Sequence, residues 1–391
     1  MKAPFTESNS AGSAFLTASF PASNRPTAAI IDLGALAHNF KKASVLAAGR
    51  KLLAVVKAKA YGHGAVEISR HLLAQGADML GVALIEEGIE IREAGIDAPI
   101  LVMGALFPEQ ADAAVSMKLT PVVFNFTGAK ALSDAARRQS TRISVHVKID
   151  TGMGRIGVSP ADAVGLIRDL RMLDGIEVQG LMTHFADADL NNKQFAASQM
   201  DLFETLQCEL EAAGITIPLR HAANSAAVLD LKRALFTMVR PGLMLYGYNP
   251  LEAGTLDRDL KPVLSLVTRI AFLKKVRADV PISYGRTFVT KRESMIATLP
   301  IGYADGYNRG LSNKGEALVR GRRVPLVGRV CMDMCMLDVT DVPEVREGDA
   351  VVLIGSQGNE RITADDIAAK TGTISYEVLC GISSRVPRIY Q

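Results

Sequence analysis

Residues 51–84 read KLLAVVKAKAYGHGAVEISRHLLAQGADMLGVAL. An apolar, β-branched run ends on Lys57, with Lys59, Tyr61 and His63 close behind and Gly62 and Gly64 between them. A stretch of helical period follows over 64–76, and a second apolar run begins at Met79. Strand, helix and strand in so short a span is the repeating unit of a parallel sheet. The lysine at the strand end carries its own message. A solvated lysine has no need of that setting, whereas one that must lose its proton and attack a carbonyl does.

The alternation continues outward to about residue 247. Strand candidates are KLLAVVK (51–57), MLGVAL (79–84), ILVMG (100–104), TPVVF (120–124), SVHVKID (144–150), VQGLMTH (178–184), PLRHAAN (218–224) and TMVRPG (237–242). Amphipathic stretches lie between them, such as PEQADAAVSMK and AASQMDLFETLQCELEAAG, the last closed by a glycine in the C′ position. Eight strands, each followed by a helix-length segment, predict an α/β fold of the (β/α)8 TIM-like barrel type. A doubly wound open sheet would need a glycine-rich phosphate turn after its first strand, and none is present. In a barrel, chemistry gathers at the C-terminal strand ends. Lys57 ends one candidate, Lys148 and Asp150 another, His184 another, Asn224 and Ser225 another, and Arg240 the last.

After about residue 262 the texture changes. LSLVTRIAFLKKV, MIATLPIGYADGY, ALVRGRRVPLVGRVCMDMCMLDVTDV and AVVLIGSQG alternate or run apolar between glycine turns, and only TADDIAAKTG reads as helical. The expected organisation is a loosely ordered tail at 1–25, a barrel at 26–262 and a mainly β C-terminal domain at 263–391.

Composition narrows the function classes. The chain has 391 residues, 48% of them hydrophobic and 22% charged, which suits an enzyme with a proper core. A formal net charge of +3 is too weak to suggest nucleic acid. No apolar run approaches a membrane span, and the Ala/Ser/Thr-rich first residues lack the clean hydrophobic core of a signal peptide. Four cysteines, Cys208, Cys331, Cys335 and Cys380, form neither a CxxC pair nor a zinc spacing. No metal is expected, and unpaired thiols fit a reducing, cytoplasmic setting.

Taken in order, AVVKAKAYGHG, VKIDTGMGRIGV, MTHFADAD, HAANSAA, VRPGLMLYG, ISYGRTF, IGYADGY, GRVCMDM and SYEVLCGISSRVPR resemble the successive motifs of the alanine racemases. The likeness runs from about residue 28 to the end. Members of that family are pyridoxal 5'-phosphate enzymes with a barrel and a C-terminal β domain. The resemblance implies that Lys57 is the Schiff-base lysine and one of two proton-transfer bases, and that Tyr284 is the other. His184, linked onward to Arg240, would tune Tyr284, since a phenol is a poor base unless a hydrogen-bonded partner shifts it. Arg240 would face the cofactor's ring nitrogen. An arginine cannot accept that proton, so it limits carbanion charge and favours prompt reprotonation.

By the same likeness Tyr61, Asn224, Ser225, Gly242, Leu243 and Tyr376 belong to the phosphate site, in keeping with the usual place of barrel phosphate sites near the last two strands. Asn224 or Ser225 also reads as a plain helix cap. Arg155 would contact the cofactor's phenolic oxygen and the substrate carboxylate, and Lys148 matches a lysine often carbamylated in the family. Met332, Tyr303 and Asp333 would line the entrance from a second subunit of a homodimer with shared active sites. Lys59 departs from the family, which usually has asparagine there; a second cation so near depresses the Lys57 pKa if it points inward and not if it points away.

The expected activity is interconversion of L- and D-alanine, with D-alanine destined for peptidoglycan. The rivals are a serine or broad-specificity racemase, a decarboxylase on a similar barrel, and a non-catalytic cofactor carrier. Tyr284, Tyr303 and Tyr376 suggest a tight pocket suited to a methyl group. A decarboxylase would present an acidic ring partner where this chain has Arg240, and a carrier would lack the C-terminal β domain.

Overall fold

The computed structural model describes residues 25–252 and 259–391, so the expected tail at 1–25 lies outside the described residues except for Arg25. The chain divides into two units. One is Leu33–Val263, and the other joins the N-terminal segment through Asp32 to Leu264–Gln391.

The first strand, β1 (Ala28–Ile31), belongs to the second unit, although the sequence assigned residues 26–262 to the barrel. It pairs antiparallel with Leu264–Arg269 and parallel with Arg388–Tyr390. Ala28, Ala29 and Ile31 are fully buried there. A four-residue apolar run carries no signal of which sheet it joins, because long-range pairing decides that.

In the larger unit the strands are β2 (Lys51–Val55), β3 (Met79–Val82), β4 (Ile100–Val102), β5 (Thr120–Val123), β6 (Ile143–Lys148), β7 (Ile176–Met182), β8 (Leu219–His221) and β9 (Met238–Val239). They correspond to the eight expected runs. Every pair is parallel, in the order β8-β7-β6-β5-β4-β3-β2-β9. The Thr237 N–H donates to the Arg220 carbonyl at 3.1 Å, and the Arg240 N–H donates to the Ala223 carbonyl at 2.9 Å. These bonds bring β8 and β9 together and round off a TIM-like barrel. Leu53, Leu80, Leu101, Val122, Val145 and Leu181 are all buried. Each contributes about 1.5–3 kcal/mol of apolar burial. The helix Gln194–Ala212 does end before Gly214, whose φ of +69° is the left-handed C′ geometry.

The smaller unit is mainly β: β10 (Leu264–Arg269), β11 (Phe272–Val276), β12 (Pro281–Ile282), β13 (Phe288–Val289), β14 (Ser294–Leu299), β15 (Glu316–Val319), β16 (Arg322–Pro325), β17 (Cys335–Asp338), β18 (Ala350–Gln357), β19 (Glu360–Ile362) and β20 (Arg388–Tyr390). One sheet runs β16-β15-β18-β10-β1-β20 with β19 on β18, a second runs β11-β14-β17, and β12 and β13 form a hairpin. The expected helix appears at Ala364–Thr371. A second, Ser375–Cys380, carries Tyr376 and is too short for its period to show in the sequence.

Candidate active site

Lys57 stands one residue beyond the buried Val56 and is half-buried. The chain then does something its sequence does not advertise. Ala58, Lys59, Ala60 and Tyr61 all have φ near +53°, a left-handed turn built from four residues other than glycine. Each such residue costs about 1–2 kcal/mol, so strong anchors are required. The Glu87 carboxylate accepts the Ala58 N–H at 2.6 Å and the Ala83 N–H at 2.7 Å. The buried His63 bonds through Nδ1 to the Ala60 and Tyr61 carbonyls, both at 2.9 Å. Lys59 ends exposed to solvent on this turn, where water screens its charge.

The turn carries Tyr61 back to the end of β9. Its ring packs on Tyr246 at 4.8 Å between centroids, and Tyr246 donates to the Val55 carbonyl at 2.9 Å. A Cβ on Gly242 would lie 2.6 Å from the Tyr61 hydroxyl, so only glycine permits this approach. The Ser225 hydroxyl oxygen accepts the N–H groups of Gly242 at 2.8 Å and Met244 at 3.3 Å, which leaves its own proton to donate. Leu243 is buried beside them. Asn224 serves as the helix cap, its side chain accepting the Ala227 N–H at 3.0 Å. Two hydroxyls, a glycine where a side chain would intrude and a chain turn after the last two strands have the donor chemistry of a phosphate cradle.

Arg240 is 3% exposed. Its Nη2 donates to the Thr183 carbonyl at 2.9 Å, the Ala222 carbonyl at 3.0 Å and His184 Nδ1 at 3.1 Å, and its Nη1 donates to His221 Nδ1 at 3.0 Å. Burial lowers its pKa to about 9, which leaves it cationic at neutral pH. Burial, then Arg240, Lys148, Arg155 and Lys57, hold His184 well below the usual imidazole range. His184 is therefore neutral, accepts at Nδ1 and carries its proton on Nε2. Its backbone is held as well, for Gln199 donates to the His184 carbonyl at 3.0 Å.

Lys148 is 3% exposed and held well below the ordinary ammonium range by burial, then by Arg240 and Arg155, with Asp150 opposing. Arg155 is exposed, on a loop whose shape Asp150 sets by accepting the Gly152 and Gly154 N–H groups at 3.0 and 3.1 Å.

The remaining expected residues belong to the smaller unit. Tyr284 sits on the turn of the β12–β13 hairpin, 72% exposed. Ser283 before it has φ +65° and donates from Oγ to the Arg329 carbonyl at 2.8 Å, which ties the turn to the GRVCMDM segment. Tyr284, Cys331, Met332 and Asp333 line one open groove of about 490 Å³. The Tyr303 N–H donates to the Cys331 carbonyl at 3.0 Å, so Tyr303 is fixed to the same segment. Asp333 pairs with Arg385 at 2.7 Å, and Arg385 in turn faces the buried Asp305. Tyr376 is half-buried on its short helix. Among the described residues no group of side chains forms a metal site.

Sequence reading missed Glu87, Tyr246, His146 and His221. His146 had a legible signal: in ISVHVK, Ser144, His146 and Lys148 alternate with Ile143, Val145 and Val147, which places three polar groups on one face of a buried strand.

Comparison with known proteins fits this arrangement. Residues 31–250 match the family described as alanine racemase, N-terminal domain, and residues 263–390 match alanine racemase, C-terminal domain. A relative named alanine racemase from Halothermothrix orenii is 50% identical over 94% of this chain and 97% of its own length. Alanine racemase 2 from Caldanaerobacter subterraneus is 48% identical over 94% and 95%. Among solved structures, alanine racemase from Clostridium difficile 630 superposes with a TM-score of 0.90 at 38% identity, covering 94% of this chain and 96% of that one. The biosynthetic alanine racemase of Pseudomonas aeruginosa gives 0.82 at 37% identity, covering 94% and 99%. Both domains, in order and over nearly their whole length, are those of amino-acid racemases, and the chain belongs to the alanine racemase family.

Proposed function

We propose that this enzyme interconverts L- and D-alanine with bound pyridoxal 5'-phosphate, by proton transfer between Lys57 on one face of the substrate and the partner subunit's Tyr284 on the other. The observation that carries the reading is Arg240: a buried guanidinium beside the Tyr61–Ser225–Gly242 cradle, donating to His184 and unable to accept a proton.

Lys57 would hold the cofactor through its ε-amine, Tyr61, Ser225, Gly242, Leu243 and Tyr376 would hold the phosphate, and Asn224 would fix the helix that presents Ser225. Arg240 would face the ring nitrogen and Arg155 the phenolic oxygen. When bound, pyridoxal phosphate supplies the electron sink that acidifies the substrate Cα–H. The chain supplies the rest. The Lys57 amine takes or returns the Cα proton on its face. His184 presents Nε2–H, which would donate to the hydroxyl oxygen of the partner subunit's Tyr284 and orient it toward the substrate. Arg240, which can only donate, would supply no proton to the ring nitrogen it faces and so would favour racemisation over transamination.

Burial beside Arg240 and Arg155 lowers the Lys148 pKa and so favours the uncharged amine that carbamylation requires. Its nitrogen bonds the carbon of CO2 and loses a proton to solvent, and the resulting anion attracts the neighbouring Arg155 and Arg240 cations. Arg155 would then bind the substrate carboxylate, with Met332 contributing to the substrate pocket and Tyr303 and Asp333 at its entrance. A homodimer with shared sites, cytoplasmic residence and D-alanine supply to peptidoglycan complete the reading. The free thiols of Cys208, Cys331 and Cys335 support a reducing compartment.

Purified protein with pyridoxal phosphate should abolish the optical rotation of L-alanine far faster than that of L-serine, and Lys57→Ala should do neither. Equal or faster turnover of serine would replace the alanine assignment with the broader one.

A further inference from the structure

A polar line crosses the barrel wall from β6 to the end of β9. His146, on β6, is fully buried. The pairing of β6 with β7 slips between Val145, which faces Val178, and His146, which faces Gly180. Gln179 is therefore the extra residue of a bulge, a rare feature in a parallel pair. A Cβ at Gly180 would lie 2.4 Å from Cγ and Nδ1 of the His146 imidazole. Bulge and glycine together open a slot, and the His146 ring fills it to reach past β7. Its Nδ1 lies 2.8 Å from His221 Nε2 on β8, and His221 Nδ1 lies 3.0 Å from Arg240 Nη1.

The direction of these bonds is fixed by chemistry. A guanidinium only donates, so His221 Nδ1 accepts and its proton sits on Nε2. That proton is given to His146 Nδ1, which leaves the His146 proton on a buried Nε2 with no partner among the described residues. Burial, then the Arg240 cation, keeps both rings neutral: His221 lies well below the usual imidazole range and His146 is lowered to about 3. An unpartnered buried N–H is costly, and an apolar side chain would fill this slot without it.

We infer that His146, with Gly180 making room for it, is a positioning residue that accepts the His221 Nε2–H, holds that imidazole in place and through it orients the Arg240 guanidinium. This rests on the assignment of Arg240 as the ring partner. Without an acceptor at position 146, the His221 Nε2–H is stranded in the core. Moving that proton to Nδ1 sets two donors against each other, and Arg240 turns away from its place.

The test has two arms. In the full chain stripped of cofactor and labelled with 15N in its histidines, His221 and His146 should both appear as neutral Nε2–H tautomers at neutral pH. A His221 found as Nδ1–H or as imidazolium overturns the proposal, whether or not any cofactor binds. In the cofactor-loaded protein, His146→Leu should raise the ratio of transamination to racemisation about tenfold, the effect of one buried hydrogen bond. Transamination is read as loss of the cofactor's visible band during incubation with alanine. His146→Asn, whose Oδ1 replaces Nδ1 as acceptor, should restore the parent ratio. An unchanged ratio in His146→Leu, or no rescue by asparagine, contradicts the proposal. Should His146→Leu fail to fold, the tautomers of the unaltered chain and the asparagine ratio decide. A parent chain that takes up no cofactor would overturn the proposed function and leave the tautomer result standing.

Discussion

Arg240 and His184 meet at 3.1 Å, guanidinium to imidazole Nδ1, with Arg240 the obligatory donor. One contact thereby links the residue assigned to the ring nitrogen with the residue assigned to the second base. It also fixes which His184 nitrogen keeps a proton. Arg240→Gln removes the charge and most of these bonds. Racemisation should fall by about 100-fold or more, the usual cost of losing a preorganised donor. Transamination should rise relative to racemisation, as read by the cofactor's absorbance. Unchanged partition between the two reactions would show that Arg240 does not restrain the ring.

Tyr284→Phe removes the hydroxyl assigned to proton transfer without removing the ring. The variant should retain its cofactor spectrum and lose about 100- to 10,000-fold in racemisation, the range for a general acid–base residue. In deuterated water one enantiomer of alanine should still exchange its Cα hydrogen while the other does not. Exchange of both enantiomers at the parent rate would rule out the two-face assignment.

Gly242→Ala places a methyl 2.6 Å from the Tyr61 hydroxyl oxygen. Overpacking of that kind costs about 1–3 kcal/mol. If the cradle holds the phosphate, the cost should appear as cofactor affinity weakened by about 10- to 100-fold, measured by titrating the stripped protein. A loss of thermal stability with unchanged affinity would make Gly242 purely structural.

Stability should depend on acid through the buried histidines. His146, His184 and His221 have folded pKa values below the unfolded 6.5, so between the two values the unfolded chain binds protons that the folded chain does not. Stability must therefore fall as pH drops below about 6.5, and His146, lowered to about 3, accounts for roughly 2 kcal/mol of that loss at about pH 5. His146→Asn should flatten its share of that slope in melting curves taken across the range. An unaltered slope would mean that His146 is not buried neutral.

The barrel was legible because eight apolar runs recur with helix-length spacers, and polar residues stand at their C-terminal ends. Lys57, His184 and Arg240 could be picked out for that reason. The left-handed turn at Ala58–Tyr61 could not, since Ala, Lys and Ala are good right-handed helix formers and the anchor, Glu87, is distant in sequence. β1 was misassigned because pairing with Leu264–Arg269 is a long-range choice with no local mark. Tyr284 looks by composition like any surface tyrosine. The strained Ser283 before it, tied to Arg329, is visible only in the fold.

The proposed chemistry requires a cofactor held covalently by Lys57. Borohydride reduction of the coloured protein, followed by peptide mapping, tests it directly. The expected result is one labelled peptide, AVVKAKAYGHG, with the cofactor mass on Lys57 and no label in Lys57→Ala. Label on Lys148 or any other lysine, or no uptake of cofactor at all, would contradict it.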